Sequence, residues 1–192
     1  MKKVLILASG LSAREVDNYD YKANDWTIVA VNNGWLATPL WDHWVRANNY
    51  KGKKPDKIEP PKVEINKYDK YVTPYGGQKQ CGFSITLTAG YYVLQQFDPD
   101  VIGFLGADMN YTPQADGSTH IYGIGYDVKT NNIPDPDKMV KEHGKDDPNY
   151  LENIYLRFSK IAKEQHNTQV YNFSSIQDTR LPYPKNNPRN FE

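Results

Sequence analysis

Ala8-Ser9-Gly10-Leu11-Ser12 follows directly on the apolar run Val4-Leu5-Ile6-Leu7. At a strand-to-helix turn glycine lets the backbone approach a ligand, serine can cap the next helix, and the freed N–H groups face an anion. Such a turn suits a nucleotide phosphate or ribose, with Ser9, Gly10 and Ser12 as contacts. The same residues equally make a plain capped turn. The spacing is not Gly-x-Gly-x-x-Gly, so the dinucleotide fingerprint is missing. Asn32-Asn33-Gly34 closes a second apolar run, and Asn48-Asn49 follows a third. Ligands of open α/β sheets lie beyond the carboxyl ends of the strands, where the Asn32 and Asn48 amides can meet a base or sugar edge. Asn-Gly is also a strong turn former.

Gly106-Ala107-Asp108-Met109-Asn110-Tyr111 comes after the most apolar run, and Thr119-His120-Ile121-Tyr122 follows soon after. Asp108 can bind a ribose hydroxyl, hold a loop or coordinate a metal. Tyr111 and Tyr122 can donate to a departing phosphate, because a neutral phenol stabilises developing negative charge without a metal. In a chain with 15 tyrosines, packing is the plainer role for each. The unperturbed pKa of histidine suits His143 to general-base work near neutrality, with His120 in reserve. The Cys81-Gly82 turn opens a further helix whose amides, Gly82's among them, can cradle a second phosphate or a carboxylate. Cys81 itself reads as a small packing residue. Asp98-Pro99-Asp100 and Asp135-Pro136-Asp137 have the form of a carboxylate pair for a divalent ion, but proline between two acids is equally turn chemistry. The first pair also precedes its strand, at the wrong end of a sheet for the site.

The elements that must position these groups are short runs rich in β-branched residues. Val4–Ala8, Thr27–Val31, Val101–Leu105 and Gln169–Phe173 read as buried parallel strands, with His43–Ala47 a weaker fifth. Ser84–Gln96 and the Leu151, Ile154, Tyr155, Phe158, Ile161, Ala162 series have helical spacing. Alternating strands and helices predict an α/β fold: a single-domain, Rossmann-like, mostly parallel open sheet over residues 1–181, with an extended tail at 182–192. Residues 50–80 read as a surface excursion with a strand near Tyr68–Thr73, and 111–148 as a long lid loop.

Composition narrows the function classes. The 192 residues are 39% hydrophobic with a formal net charge of zero, so no general field attracts a polyanion and nonspecific nucleic-acid binding is not expected. One cysteine excludes an internal disulfide framework and fits a reducing compartment. No apolar run approaches the roughly 20 residues of a bilayer span. With no secretory leader in the first residues, the expected location is cytoplasmic.

Taken in order, the set resembles the bacterial CMP-sialic-acid-dependent sialyltransferases and small sialyltransferase-like proteins, including phage-encoded members. The resemblance rests on Ser9-Gly10-Leu11-Ser12 with Glu15 and Asp17, Asn32, Asn48, Cys81-Gly82, Gly106-Ala107-Asp108, the following tyrosines, His143 and Val170–Ser175. It implies a nucleotide pocket lined by Ser9, Gly10, Ser12, Asn32 and Asn48. Tyr111 and Tyr122 would stabilise the leaving phosphate and His143 would deprotonate the acceptor hydroxyl, with no metal needed for the chemistry. The donor, a nucleotide sugar and in the family CMP-linked, is then a substrate, and no resident cofactor is expected. The acceptor would be a small molecule, glycan or modified base, and a homo-oligomer is compatible with the pattern. For a phage-encoded member the location would be the host cytoplasm. Two other readings remain: a Mg²⁺-dependent pyrophosphokinase-like or base-modifying transferase, and a nucleotide-binding protein without catalysis.

Overall fold

The computed structural model describes residues 1–82, 84–110, 115–121, 147–148 and 150–192. Six strands, β1 (Lys3–Leu7), β2 (Trp26–Val31), β3 (His43–Val45), β4 (Val63–Ile65), β5 (Val101–Leu105) and β6 (Gln169–Asn172), form one sheet in the order β4-β3-β2-β1-β5-β6. Every pairing is parallel, and the fold is a Rossmann-like α/β fold. Residues on a strand alternate between faces, so each strand feeds two cores. Val4, Ile6, Val29, Val31, Ile102 and Phe104 face one side; Leu5, Leu7, Ile28, Ala30, Val101 and Leu105 face the other.

The first side is covered by α1 (Asp69–Val72), α2 (Ile85–Phe97) and α3 (Leu151–His166). The second is covered by the 3₁₀ run Leu11–Asn18 and a cluster of Trp26, Trp41, Trp44 and Phe173. The division follows from handedness. Parallel crossovers are right-handed, so those stepping from β1 towards β4 and those stepping back to β5 and β6 must use opposite faces. Opposite stepping on either side of β1 also puts the topological switch point at the carboxyl ends of β1 and β5, the position where such sheets take ligands.

The expected strand near Tyr68–Thr73 is not one. Its residues form α1 and the 3₁₀ turn Thr73–Tyr75, while the strand of this region is the earlier Val63–Ile65. Tyr68, Tyr71 and Val72 are spaced i, i+3, i+4 and pack on one core, which is a helical pattern despite their strand-favouring side chains.

The segment after β6 stays on the domain. Leu181 and Tyr183 are buried beneath α3, and the Tyr183 hydroxyl donates to the Tyr155 carbonyl at 3.1 Å. Lys185 forms a parallel bridge with Asn172, and the Asn172 N–H donates to the Pro184 carbonyl at 2.9 Å. Pro188–Phe191 is a 3₁₀ turn that sets Phe191 against Trp26, Tyr171 and Phe173. Among the described residues no helix is long and apolar enough to cross a membrane.

His43 opens β3 under α2, where its Nδ1 lies 2.8 Å from the Tyr92 hydroxyl and its ring meets Phe97 edge-on. Burial lowers its pKa, and Lys22 adds to the effect while Asp42 opposes it. The folded state therefore resists protonation more than the unfolded chain, and acid favours unfolding. Stability from this group is expected to be complete above about pH 6.5 and to fall as pH drops below it. Urea titrations across that window should show the slope in the wild type and a shallower one in His43→Gln.

Candidate functional site

Beyond β1 and β5 the two chains keep approaching each other. The Ala8 N–H donates to the Leu105 carbonyl at 2.8 Å, and Gly10 N–H to the Gly106 carbonyl at 2.7 Å. Both positions need glycine for the same steric reason. A Cβ on Gly10 would lie 2.6 Å from the Gly106 oxygen, and one on Gly106, whose φ is +74°, would lie 2.5 Å from the Ala8 oxygen.

This approach delivers Ser12 to Asp108. Ser12 N–H donates to Oδ2 at 2.9 Å, its hydroxyl donates to Oδ1 at 2.5 Å, and Gly106 N–H donates to Ser12 Oγ at 2.8 Å. Ser12 is 1% exposed and Asp108 4%, so these are buried, charge-assisted bonds of the strong kind. Ser12 was expected to cap the helix that follows. Gly10 occupies that position without a side-chain bond, and the serine hydroxyl instead joins two loops. Each oxygen of Asp108 already accepts from Ser12, so the carboxylate acts first as the fastener of the two loops.

The amides after β2 are also engaged within the protein. Asn32, at φ +47°, accepts through Oδ1 from Ala47 N–H at 3.0 Å, and its carbonyl accepts from Trp44 Nε1 at 2.7 Å. The buried Asn33 accepts from the Tyr50 hydroxyl. Asn48 is exposed beyond β3. Ser9 is half-buried; its carbonyl accepts from Ile121 N–H at 3.0 Å, and its hydroxyl has no partner among the described residues. The Ser9 and Asn48 side chains thus have no hydrogen-bond partner among the described residues, while Ser12, Asn32 and Asp108 brace the loops at this edge. Gly82, at φ +55°, packs on α3, where a Cβ would lie 2.5 Å from Ile154 Cδ1. The α2 N-terminus behind it is capped by Ser84, which accepts from Leu87 N–H at 3.4 Å. Cys81 is fully buried, which pushes its thiol pKa up to about 11 and fits a packing role.

The Ile121 bond holds residues 115–121 against the turn after β1, and His120 Nδ1 lies 2.8 Å from the Thr119 hydroxyl. Tyr111, Tyr122, His143 and the Asp135-Pro136-Asp137 pair lie outside the described residues. Among those described, no group of three His, Cys, Asp or Glu side chains is arranged to hold a metal ion. A cavity of about 230 Å³ lined by Asp17, Asp20, Tyr21 and Leu40 contains none of the residues expected at the site.

Sequence reading missed the contribution of the segment after β6. Glu15 accepts from Ser175 N–H and Oγ, both at 2.9 Å, fixing that turn over the 3₁₀ run. Arg180 N–H and the Thr179 hydroxyl donate to the Asp108 carbonyl at 2.9 and 3.0 Å. The Arg180 guanidinium donates to Glu152 at 3.0 Å and to the Tyr150 hydroxyl at 2.5 Å. Lys185 donates to the Ser174 and Ile176 carbonyls at 2.5 and 2.7 Å. Burial lowers its pKa, against the opposing pull of Asp108 and Glu15. Lys185 is therefore the cation whose charge reaches Asp108, while the Arg180 guanidinium is paired with Glu152. The signal available was positional: whatever follows a parallel strand emerges at this same edge.

Set against protein-family models, curated proteins and solved structures, the chain has no match.

Asp108→Asn places an amide N–H where one Ser12 donor now bonds, and Ser12→Ala strands Asp108 Oδ1 and Gly106 N–H. Each is expected to lower stability by about 2–4 kcal/mol. In a double-mutant cycle followed by urea unfolding the two losses should fall well short of additive. Full additivity would show that the pair is not coupled.

Proposed function

We propose that the chain is a glycosyltransferase-like enzyme that holds a nucleotide-activated sugar at the carboxyl edge of its sheet. The observation that carries this reading is the switch point between β1 and β5, where the loops bearing Ser9, Gly10, Ser12 and Asp108 meet although the last is 96 residues from Ser12. Ligands of open parallel sheets collect at such a point. The family resemblance supplies the donor class, and the Ser9 hydroxyl and Asn48 amide supply polar groups still open to a nucleotide.

In this reading the acceptor oxygen attacks the anomeric carbon of the donor sugar as the bond from that carbon to the phosphate oxygen breaks. His143 takes the acceptor proton. Tyr111 and Tyr122 donate to the departing phosphate, where negative charge accumulates. The nucleotide sugar is consumed as a substrate. Exclusion of water matters because water is the competing nucleophile.

A second reading, nucleotide binding without catalysis, draws on the same geometry. Ser12 and Asp108 satisfy each other within the protein, as a purely structural fastener would.

Calorimetry with CMP, UDP and ATP, with and without Mg²⁺, tests both. Metal-free binding of a nucleotide, weakened about 2–10-fold by Ser9→Ala, is the expected result. Binding that needs both a triphosphate and Mg²⁺ would favour pyrophosphokinase-like chemistry, and absence of any nucleotide binding would end the proposal. Mass spectrometry of reactions with nucleotide sugars then separates the enzyme from the binding protein. His143→Ala should lower transfer on the order of 10²-fold or more while sparing nucleotide affinity.

A further inference from the structure

Five buried side-chain polar atoms have no hydrogen-bond partner among the described residues: Tyr19 Oη, Trp26 Nε1, Gln78 Nε2, Tyr91 Oη and Arg157 Nε. Buried polar groups are nearly always paired, so such atoms call for an explanation. The first two are neighbours beneath the Leu11–Asn18 run, and the Trp26 indole acts on the Tyr19 phenol. The other three gather around Cys81, between the 3₁₀ turn Gln78–Cys81, α2 and α3.

Their common neighbourhood is set by several contacts. Thr88 of α2 donates to Gln78 Oε1 at 3.4 Å, and Tyr91 follows Thr88 by nearly one helical turn. The Arg157 guanidinium donates through one terminal nitrogen to the Gln80 carbonyl at 3.4 Å. Its charge reaches both Cys81 and Tyr91, opposing the burial that raises their pKa values. Tyr91 is completely buried and is enclosed by Tyr75 and Phe158, with ring centroids 4.7 and 5.1 Å away.

What unites the orphaned atoms is their chemistry. Gln78 Nε2 and Arg157 Nε only donate, and the Tyr91 hydroxyl carries a proton to donate. Arg157 adds a positive charge that no carboxylate among the described residues pairs with. One water accepts from at most two donors and leaves the guanidinium charge unpaired. A small anion only accepts, and it neutralises the guanidinium.

We propose that Gln78, Tyr91 and Arg157 form a binding site for a small monovalent inorganic anion of the halide type. The site shares no residue with the switch point of β1 and β5 and does not depend on the function assigned there. Occupancy would tie the Gln78–Cys81 turn to α2 and α3 at once.

The test uses the intact chain, melted in sodium bromide against sodium gluconate at equal ionic strength. Bromide at a hundredfold excess over its dissociation constant is expected to raise Tm by roughly 5–10 °C, with a saturable dose dependence. Arg157→Met should abolish the saturable rise. Tyr91→Phe, which removes only the hydroxyl, should weaken bromide about 2–10-fold and keeps the test decisive if the first variant does not fold. Crystals in sodium bromide should show an anomalous peak at hydrogen-bonding distance from Arg157 Nε. A bromide response identical in wild type and Tyr91→Phe, or density at Arg157 Nε without an anomalous signal, would overturn the proposal.

Discussion

At the carboxyl edge of this sheet the loops after β1 and β5 are joined by a buried two-point bond between Ser12 and the Asp108 carboxylate. A carboxylate sheltered from water is tolerable only when its oxygens are well supplied with donors. Ser12 supplies two, and it also accepts from Gly106, so three groups from two loops are satisfied together. Gly10 and Gly106 are the steric condition for that arrangement, since side chains there would force the loops apart. The Asp108 carbonyl then receives Thr179 and Arg180, which extends the same organisation to the segment after β6.

The edge thus divides between residues that brace it and residues whose side chains no described group engages. Asn32, Asn33 and Ser12 are bonded to neighbouring protein groups. Ser9 is half-buried and Asn48 exposed, and neither side chain has a hydrogen-bond partner among the described residues. A polar residue at the end of a strand is therefore ambiguous in sequence, because bracing a loop and meeting a nucleotide need the same donors and acceptors.

That ambiguity explains how much could be read in advance. The four strong strands were legible because buried parallel strands are continuous runs of Val, Ile and Leu, and α3 because its apolar residues recur at helical spacing. β4 was not, because Val63-Glu64-Ile65 is a three-residue edge strand with too few positions to show a pattern. α1 was misread because tyrosine and valine favour strands in general, whereas here their spacing decides. At the site, sequence could place Ser12 and Asp108 after their strands but could not show that β1 and β5 are adjacent. That adjacency turns two separate loop residues into a bonded pair.

The return of the last residues along β6 has a consequence for encounters between copies of the chain. A bare edge strand exposes a row of N–H and C=O groups that another strand can dock against, and β6 would otherwise be one. Lys185 and Asn186 occupy part of that row through Asn172. Pro182, Pro184 and Pro188 then give the outermost segment fewer amide protons with which to recruit a newcomer. At the opposite margin β4 is short and carries Glu64 beside Arg46. Both margins are thereby blunted against sheet-to-sheet aggregation, one by a proline-bearing cover and the other by brevity and charge.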